Sequence, residues 1–456
     1  MGVLAISGGL PVRSKLFTSS VVIDNHERRL INQVLDNKEI SRFMGSPSKD
    51  INNLLSMPSV DAENLQDQYF SFLGGKMVRK FEADFAKKFG IDYAISVNSA
   101  TSGLSAAFGA SGIGPGDEVI TTCLSFHATA LSILTFNSIP VFVDVDSKSF
   151  CLDPESVEKA VTPRTKAILA VHLLGRAADM DAIAAIARQH NLMVIEDCAQ
   201  APGTKYKGRL VGTIGDIGVY SFQETKNITT GEGGMVVTGN SALATKVRLI
   251  RNHGESIPDN TWDEDTLVNV IGMNYRMTEL TAAMGIAQLA KLNENNRVRT
   301  DNTNYLYEHL ACLPGITVPQ FHESEIPHVF SVLYDAEATG VERSKIIAAL
   351  RAEGIPVGSG YLKTMYENQI FLKKVAYGRE QCPWNCHLAD FKKDYRSGDC
   401  PVAEKLLRES FIWFYHINRP NGIEDMKDVV RAFNKVFENI EVLKRENFNT
   451  EVGYKW

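Results

Sequence analysis

Residues 167–195 read AILAVHLLGRAADMDAIAAIARQHNLMVI. Two short apolar runs, 167–172 and 193–195, bracket a helical pattern over 179–190. Strand, helix and strand in that succession make a βα unit, whose strands lie parallel in one sheet. The same rhythm extends upstream. Segments 93–97, 118–122 and 141–145 read as buried strands, with helices expected over 101–110, 125–135 and 155–160. Downstream the spacing breaks. Strands at 219–222 and 235–238 are separated by a short loop and followed by a helix over 241–251. A long helical pattern then runs from about 278 to 310, with Ala282, Ala283, Ile286 and Leu289 at helical spacing.

Leu313-Pro314-Gly315 closes that helix, and a second α/β stretch follows. Its strands are expected at 329–333 and 412–416, its helices at 342–353 and 423–440. The pattern predicts an α/β fold: a large domain over 1–305, with a mostly parallel sheet sandwiched by helices, and a smaller C-terminal α/β domain over 306–456. Near the start, 25–35 reads as a helix. Residues 44–71 are polar and irregular and read as a loop insertion.

Composition narrows the function. Among 456 residues, 48 Lys and Arg face 54 Asp and Glu, a net charge of −6, which argues against a nucleic-acid binder. Hydrophobic residues at 44% and charged residues at 22% exclude a disordered or fibrous chain. No run of 18 apolar residues exists, so no membrane span is expected. The start MGVLAISGGL shows neither a basic segment nor a cleavage pattern, and Ile6 breaks the myristoylation pattern; no leader or lipid anchor is expected. Seven scattered cysteines suggest reduced thiols and a cytoplasmic protein. Cys382, Cys386 and His387 cluster, but a second ligand pair at zinc-finger spacing is missing, so no metal is expected.

In open α/β sheets, ligands gather at the carboxyl ends of strands. After 93–97 comes Asn98-Ser99-Ala100-Thr101-Ser102-Gly103, small and hydroxyl residues opening a helix. Free N–H groups there suit a phosphate, and Ser99 equally fits an ordinary N-cap. After 193–195 come Glu196 and Asp197. An acid ending a buried strand needs a partner, whether a protonated ring nitrogen, an arginine or a helix N-terminus. After 219–222 comes Gln223-Glu224-Thr225-Lys226, followed by the glycine-rich Thr230-Gly231-Glu232-Gly233-Gly234. A lysine in such a loop either reaches into a cleft, where it can form a Schiff base, or lies solvated. A phosphate cup, a buried Asp and a lysine in this chain order meet the requirements of pyridoxal 5'-phosphate (PLP). The Asp keeps the pyridine nitrogen protonated and the Lys carries the cofactor as an aldimine.

The stretch 196–234, EDCAQAPGTKYKGRLVGTIGDIGVYSFQETKNITTGEGG, resembles the signature of the DegT/StrS (DegT/DnrJ/EryC1-type) sugar aminotransferases, fold-type I PLP enzymes. SATSGL from Ser99, PGDEV from Pro115, HLLGRAADMDA from His172, RNHG from Arg251, NYRMTELTAAMGIAQL from Asn274 and CPVAE from Cys400 extend the likeness over nearly the whole chain from about Leu73. The resemblance implies Lys226 as the aldimine lysine and Asp197 as the carboxylate at the pyridine nitrogen. It places Gln200 near the phenolic oxygen, and it makes Ala100, Thr101 and Ser221 the phosphate binders. Phe126 matches the aromatic stacking on the ring. Asn274 and Arg276 match a segment donated by the neighbouring subunit, which implies a homodimer with shared active sites.

This chain departs from the family pattern in three places. Ser99-Ala100-Thr101 stands where the family usually has Ser-Gly-Thr, so the cup must avoid positive φ at Ala100. The segment 44–71 is longer than usual. Gln223-Glu224-Thr225-Lys226 followed by Ile228 is reminiscent of the branch aminating ketocyclitols. Substrate contacts are expected from His172, His328 and Tyr361, with His416, His127 and His253 as further candidates, and at most one of His328, Tyr361 and His416 is expected to serve. The glycine-rich stretch 112–116 precedes a strand, whereas a dinucleotide fingerprint must follow one. The expected function is a PLP-dependent aminotransferase moving an amino group from glutamate or glutamine to a keto sugar or ketocyclitol. The rivals are a PLP-dependent sugar dehydratase of the same family, which holds histidine where Lys226 stands, and a non-catalytic relative.

Overall fold

The computed structural model describes residues 2–18, 21–43, 54–65, 72–254, 271–319, 321–378 and 380–445. Its larger sheet has seven strands. These are β1 (Tyr93–Val97), β2 (Glu118–Thr122), β3 (Ile139–Val143), β4 (Thr165–Val171), β5 (Met193–Asp197), β8 (Ile217–Ser221) and β9 (Gly234–Thr238); β6 (Lys205–Tyr206) and β7 (Arg209–Leu210) form a small hairpin between β5 and β8. The order is β1-β9-β8-β5-β4-β2-β3, parallel except that β9 runs against β1 and β8. Most of these strands are buried along their whole length because helices cover both faces. The carboxyl ends of β1, β5 and β8 therefore share one edge.

Helix positions follow the expected ones within a few residues, and caps fix the ends. Asp179 accepts from the Ala182 N–H and opens the helix Met180–His190; Thr278 accepts from Thr281 and opens Glu279–Leu310. The sequence reading missed the helix Lys76–Phe89. Its Phe81, Phe85 and Phe89 pack against Tyr220 and Phe222.

A second sheet holds β10 (Ile316–Thr317), β11 (Phe330–Tyr334), β12 (Val357–Gly358) and β13 (Phe411–Phe414) in the order β10-β11-β13-β12, all antiparallel. Helices Arg343–Ala352 and Ile423–Glu438 pack on it around Phe330, Ile346, Phe414 and Phe433. The 32-residue helix Glu279–Leu310 runs unbroken past residue 305 and lends Leu306 and Leu310 to this second core.

The first residues join that second core, although sequence order groups them with the large domain. Leu4 is buried in it, and Arg13 pairs with Asp425 and Asp428, both at 2.8 Å. Helix Asn25–Asn37 then returns to Glu279–Leu310, where Glu27 accepts from Gln288 at 2.7 Å and from Lys291 at 2.6 Å. Much of the expected 44–71 loop lies outside the described residues. Its described part, 54–65, contains the short helix Ser59–Ala62. Ser59 is buried and bonds the Ala94 backbone, and Arg248 donates to the Leu55 and Met57 carbonyls at 2.6 and 2.9 Å. That part of the segment is anchored.

Candidate active site

The strand ends enclose a cavity of about 770 Å³ between the two sheets. At the end of β1, Ser99 has extended backbone and its Oγ accepts from the Ser102 N–H at 3.1 Å. It thus caps the helix Ala100–Ala110. The first-turn N–H groups of a helix have no intrahelical partner, and Ala100 and Thr101 line the cavity. The N-cap reading of Ser99 holds, and the cap fixes a helix start of the kind that suits an anion. Ala100 avoids positive φ, as the cup required. Gly234 lets β9 pass beneath the cup, since a Cβ there would sit 2.7 Å from the Ala100 nitrogen. Ser221, ending β8, lines the same wall.

Asp197 ends β5 and is buried on the cavity floor. Its Oδ1 accepts from the Ala199 N–H at 3.1 Å and its Oδ2 from the Thr129 hydroxyl at 2.9 Å. Thr129 in turn lies 2.9 Å from Ser125 Oγ. Because Thr129 donates its proton to Asp197, Ser125 must donate to Thr129. Burial raises the Asp197 pKa; the bonds from Ala199 and Thr129 and the Lys226 charge oppose that rise. A carboxylate in this state gains from a cation placed against it.

Lys226 follows β8 and opens into the cavity. Desolvation lowers its pKa to about 8; Asp197 works against the fall and Arg299 adds to it. About a tenth of it is therefore free amine at pH 7, far more than for an ordinary lysine, and that is the nucleophilic form. Gln200 Oε1 accepts from the Leu174 N–H at 2.7 Å, and its Nε2 donates to the Tyr361 hydroxyl at 3.0 Å. Phe126 lines the cavity while 63% exposed, an aromatic face left available for a flat partner.

The cavity also brings His328, Tyr361 and His416 together. His416 is buried and stacks on Phe17 with centroids 5.6 Å apart. His172 is not among the lining residues. It is fully buried, its Nε2 lies 2.9 Å from Glu196 Oε2, and its Nδ1 accepts from the Ala178 N–H at 3.1 Å. Both nitrogens are committed inside the protein, so the expected substrate contact becomes a core contact. Asn274 and Arg276 lie outside this cavity as well. Arg276 donates to Asn274 Oδ1 and Asn252 Oδ1, each at 3.0 Å, and the Asn274 carbonyl accepts from Asn98 beside the cup. His253 is exposed, and His127 packs against Phe371.

Sequence reading missed Thr129, Asn227 and Arg299. Arg299 is buried deep in the long helix, lines the cavity and donates to the His328 carbonyl at 2.9 Å. Nothing in its local sequence separates it from a solvated helix arginine. The assembled groups fit PLP. Unspent helix N–H groups and a serine suit its phosphate, an under-bonded buried carboxylate its ring nitrogen, an available ring its face, and a depressed lysine its aldehyde.

The pattern of the DegT/DnrJ/EryC1/StrS aminotransferase family matches residues 61–391. An L-glutamine:2-deoxy-scyllo-inosose aminotransferase of Streptoalloteichus tenebrarius is 35% identical over 375 residues, 79% of this chain and 86% of that protein. The GDP-perosamine synthase of Caulobacter vibrioides is 41% identical over 284 residues, 62% of this chain and 75% of that protein. Among solved structures, an aminotransferase from Psychrobacter cryohalolentis superposes with a TM-score of 0.74 at 30% identity, covering 93% of this chain and all (100%) of the other.

Proposed function

The chain belongs to the DegT/DnrJ/EryC1/StrS aminotransferase family, whose members use PLP, and on that premise we propose that it moves an amino group from glutamine or glutamate to a keto sugar or ketocyclitol. The observation that carries this reading is Lys226 in one cavity with Asp197 and the helix start at Ala100.

Bound PLP supplies a carbonyl that exchanges amines and a ring that draws electron density from the reacting carbon. The residues of this chain do the rest. Ala100 and Thr101, through N–H groups, and Ser221, through its hydroxyl, hold the phosphate. Asp197 keeps the proton on the ring nitrogen, and Phe126 covers the ring face. Gln200, oriented by Leu174 and Tyr361, faces the phenolic oxygen. Lys226 would hold the cofactor; displaced by the donor, its amine would move a proton between the nitrogen-bearing substrate carbon and the cofactor's carbonyl carbon. Glutamine is supported as donor by the inosose relative, a keto nucleotide sugar or ketocyclitol as acceptor by the two relatives together.

The proposal includes a homodimer in which Asn274 and Arg276 complete the partner's cavity, consistent with their place on the outer side of the cup. It includes a division into two domains near residue 305, with the first residues strapped to the smaller one. Among the described residues no helix is long and apolar enough to cross a membrane, and all seven cysteines are unpaired, which supports a cytoplasmic setting.

Product analysis tests the reaction. With PLP, glutamine and 2-deoxy-scyllo-inosose or a nucleotide-linked keto sugar, mass spectrometry is expected to find the amine in place of the ketone. A product lighter by one water, with no nitrogen gained, would establish the dehydratase instead.

A further inference from the structure

Asn227, next to the cofactor lysine, starts a chain of hydrogen bonds with only one workable polarity. Its Nδ2 donates to Asn296 Oδ1 at 3.1 Å, and Asn296 Nδ2 donates to the Pro202 carbonyl at 2.9 Å. Asn227 Oδ1 lies 3.1 Å from His328 Nδ1. All three side chains are buried. A carbonyl oxygen can only accept, so Pro202 fixes which end of the Asn296 amide faces it. Asn296 then fixes Asn227, and Asn227 turns an oxygen to the imidazole. The amide orientations and the tautomer follow from this one acceptor at the end of the relay. The His328 proton is on Nδ1, and Nε2 holds a lone pair.

The backbone of His328 is held as well. The His328 N–H donates to the Leu174 carbonyl at 2.9 Å, and the His328 carbonyl accepts from Arg299 at 2.9 Å. His328 is one of the residues that line the cavity. Burial and the charges of Lys226 and Arg299 keep its pKa well below the ordinary histidine value, so the ring stays neutral.

These surroundings select what Nε2 can bind. A carboxylate or ketone oxygen would set lone pair against lone pair. An ammonium would meet the repulsion of Arg299, whose pKa burial lowers to about 10 but which stays charged near neutral pH. A neutral hydroxyl meets neither objection: it donates one proton and brings no charge. We propose that His328 is a substrate-recognition residue whose Nε2 accepts a hydrogen bond from a hydroxyl of the keto substrate, so that the cavity is built for a polyol ketone. The inference rests on the aminotransferase reading and deepens it.

The test uses the full-length holoenzyme and scyllo-inositol, which has the hydroxyls without the ketone. Calorimetry is expected to show binding to the natural protein, about tenfold to a hundredfold weaker binding to His328→Leu, and recovery of most of the loss in His328→Gln, which keeps an acceptor. Circular dichroism checks that both variants fold, and the glutamine variant carries the test if the leucine variant does not. A second readout separates the half-reactions by the visible cofactor band. The step with the keto acceptor is expected to fall at least tenfold more than the step with the amino donor. Equal binding by the natural protein and His328→Leu, or no binding by either, overturns the inference, as does an equal fall in both half-reactions. If the natural protein transfers no amino group to any acceptor, the aminotransferase reading fails and this inference with it. If it transfers but ignores the His328 substitution, only the inference fails.

Discussion

Glu196 and Asp197 are neighbours on β5 and point to opposite faces of the sheet. Both are buried acids, yet they are built differently. Glu196 accepts from His172 at 2.9 Å and from the N–H groups of Gly212, Ile214 and Gly215 at 2.7, 2.8 and 2.6 Å. Burial alone would push its pKa up, but the bond from His172 and those N–H groups hold it below the ordinary value. Asp197 accepts two bonds, and burial wins: its pKa is raised. One acid is complete and the other is waiting for a cation. The histidines repeat the contrast, since His172 spends both nitrogens inside the core while His328 commits Nδ1 and lines the cavity. Unspent hydrogen-bonding capacity, rather than burial or residue type, separates the site from its support.

Four outcomes would break or sharpen that comparison. The largest is expected from Lys226→Ala, which removes the amine that holds PLP and moves the proton. Turnover should fall by roughly 10⁴-fold or more with an unchanged circular dichroism spectrum. Next, Asp197→Asn should slow turnover about 10²- to 10³-fold, the scale for losing one preorganised electrostatic contact. Its stability should stay within about 1 kcal/mol of the natural protein. The sign follows from the raised pKa: such a carboxyl costs stability above its folded pKa, and that cost is relieved as the pH falls. Glu196→Gln should do the reverse. It places an amide among three backbone donors and should cost about 3 kcal/mol, read as a lower urea midpoint at unchanged slope. A stable Glu196→Gln protein beside an unfolded Asp197→Asn protein would invert the comparison.

The fourth outcome concerns pH. The free amine of Lys226 captures PLP, and its pKa is lowered to about 8. Stopped-flow capture by the cofactor-free protein should rise about tenfold per pH unit below that value and level off above it. A rate still climbing through pH 10 would mean that the cavity does not desolvate the lysine.

Much of this was legible from the chain because alternation of apolar runs and helical patterns is local. The segment 167–195 carries its βαβ reading within a few dozen residues, and Ser99, Asp197 and Lys226 each sit just past a readable strand. The helix Lys76–Phe89 was missed although its period is legible: Lys76, Lys80, Asp84, Lys87 and Lys88 make a polar face, and Met77, Val78, Phe81, Phe85 and Phe89 are buried. The short strands β10 and β12 have two residues each, too few for any period. His172 was misread because its partners, Glu196 and Ala178, are defined by packing. The relay from Pro202 through Asn296 and Asn227 to His328 joins four distant positions, and no spacing in the sequence records it.

The most direct measurement of the central claim is the visible absorbance of the purified protein loaded with PLP, taken before and after glutamine or glutamate. The account predicts a visible band from lysine-bound cofactor that vanishes with the donor, returns when a keto sugar or ketocyclitol is added, and is missing from Lys226→Ala. A protein that takes up no PLP, or a band that forms equally well without Lys226, would contradict it.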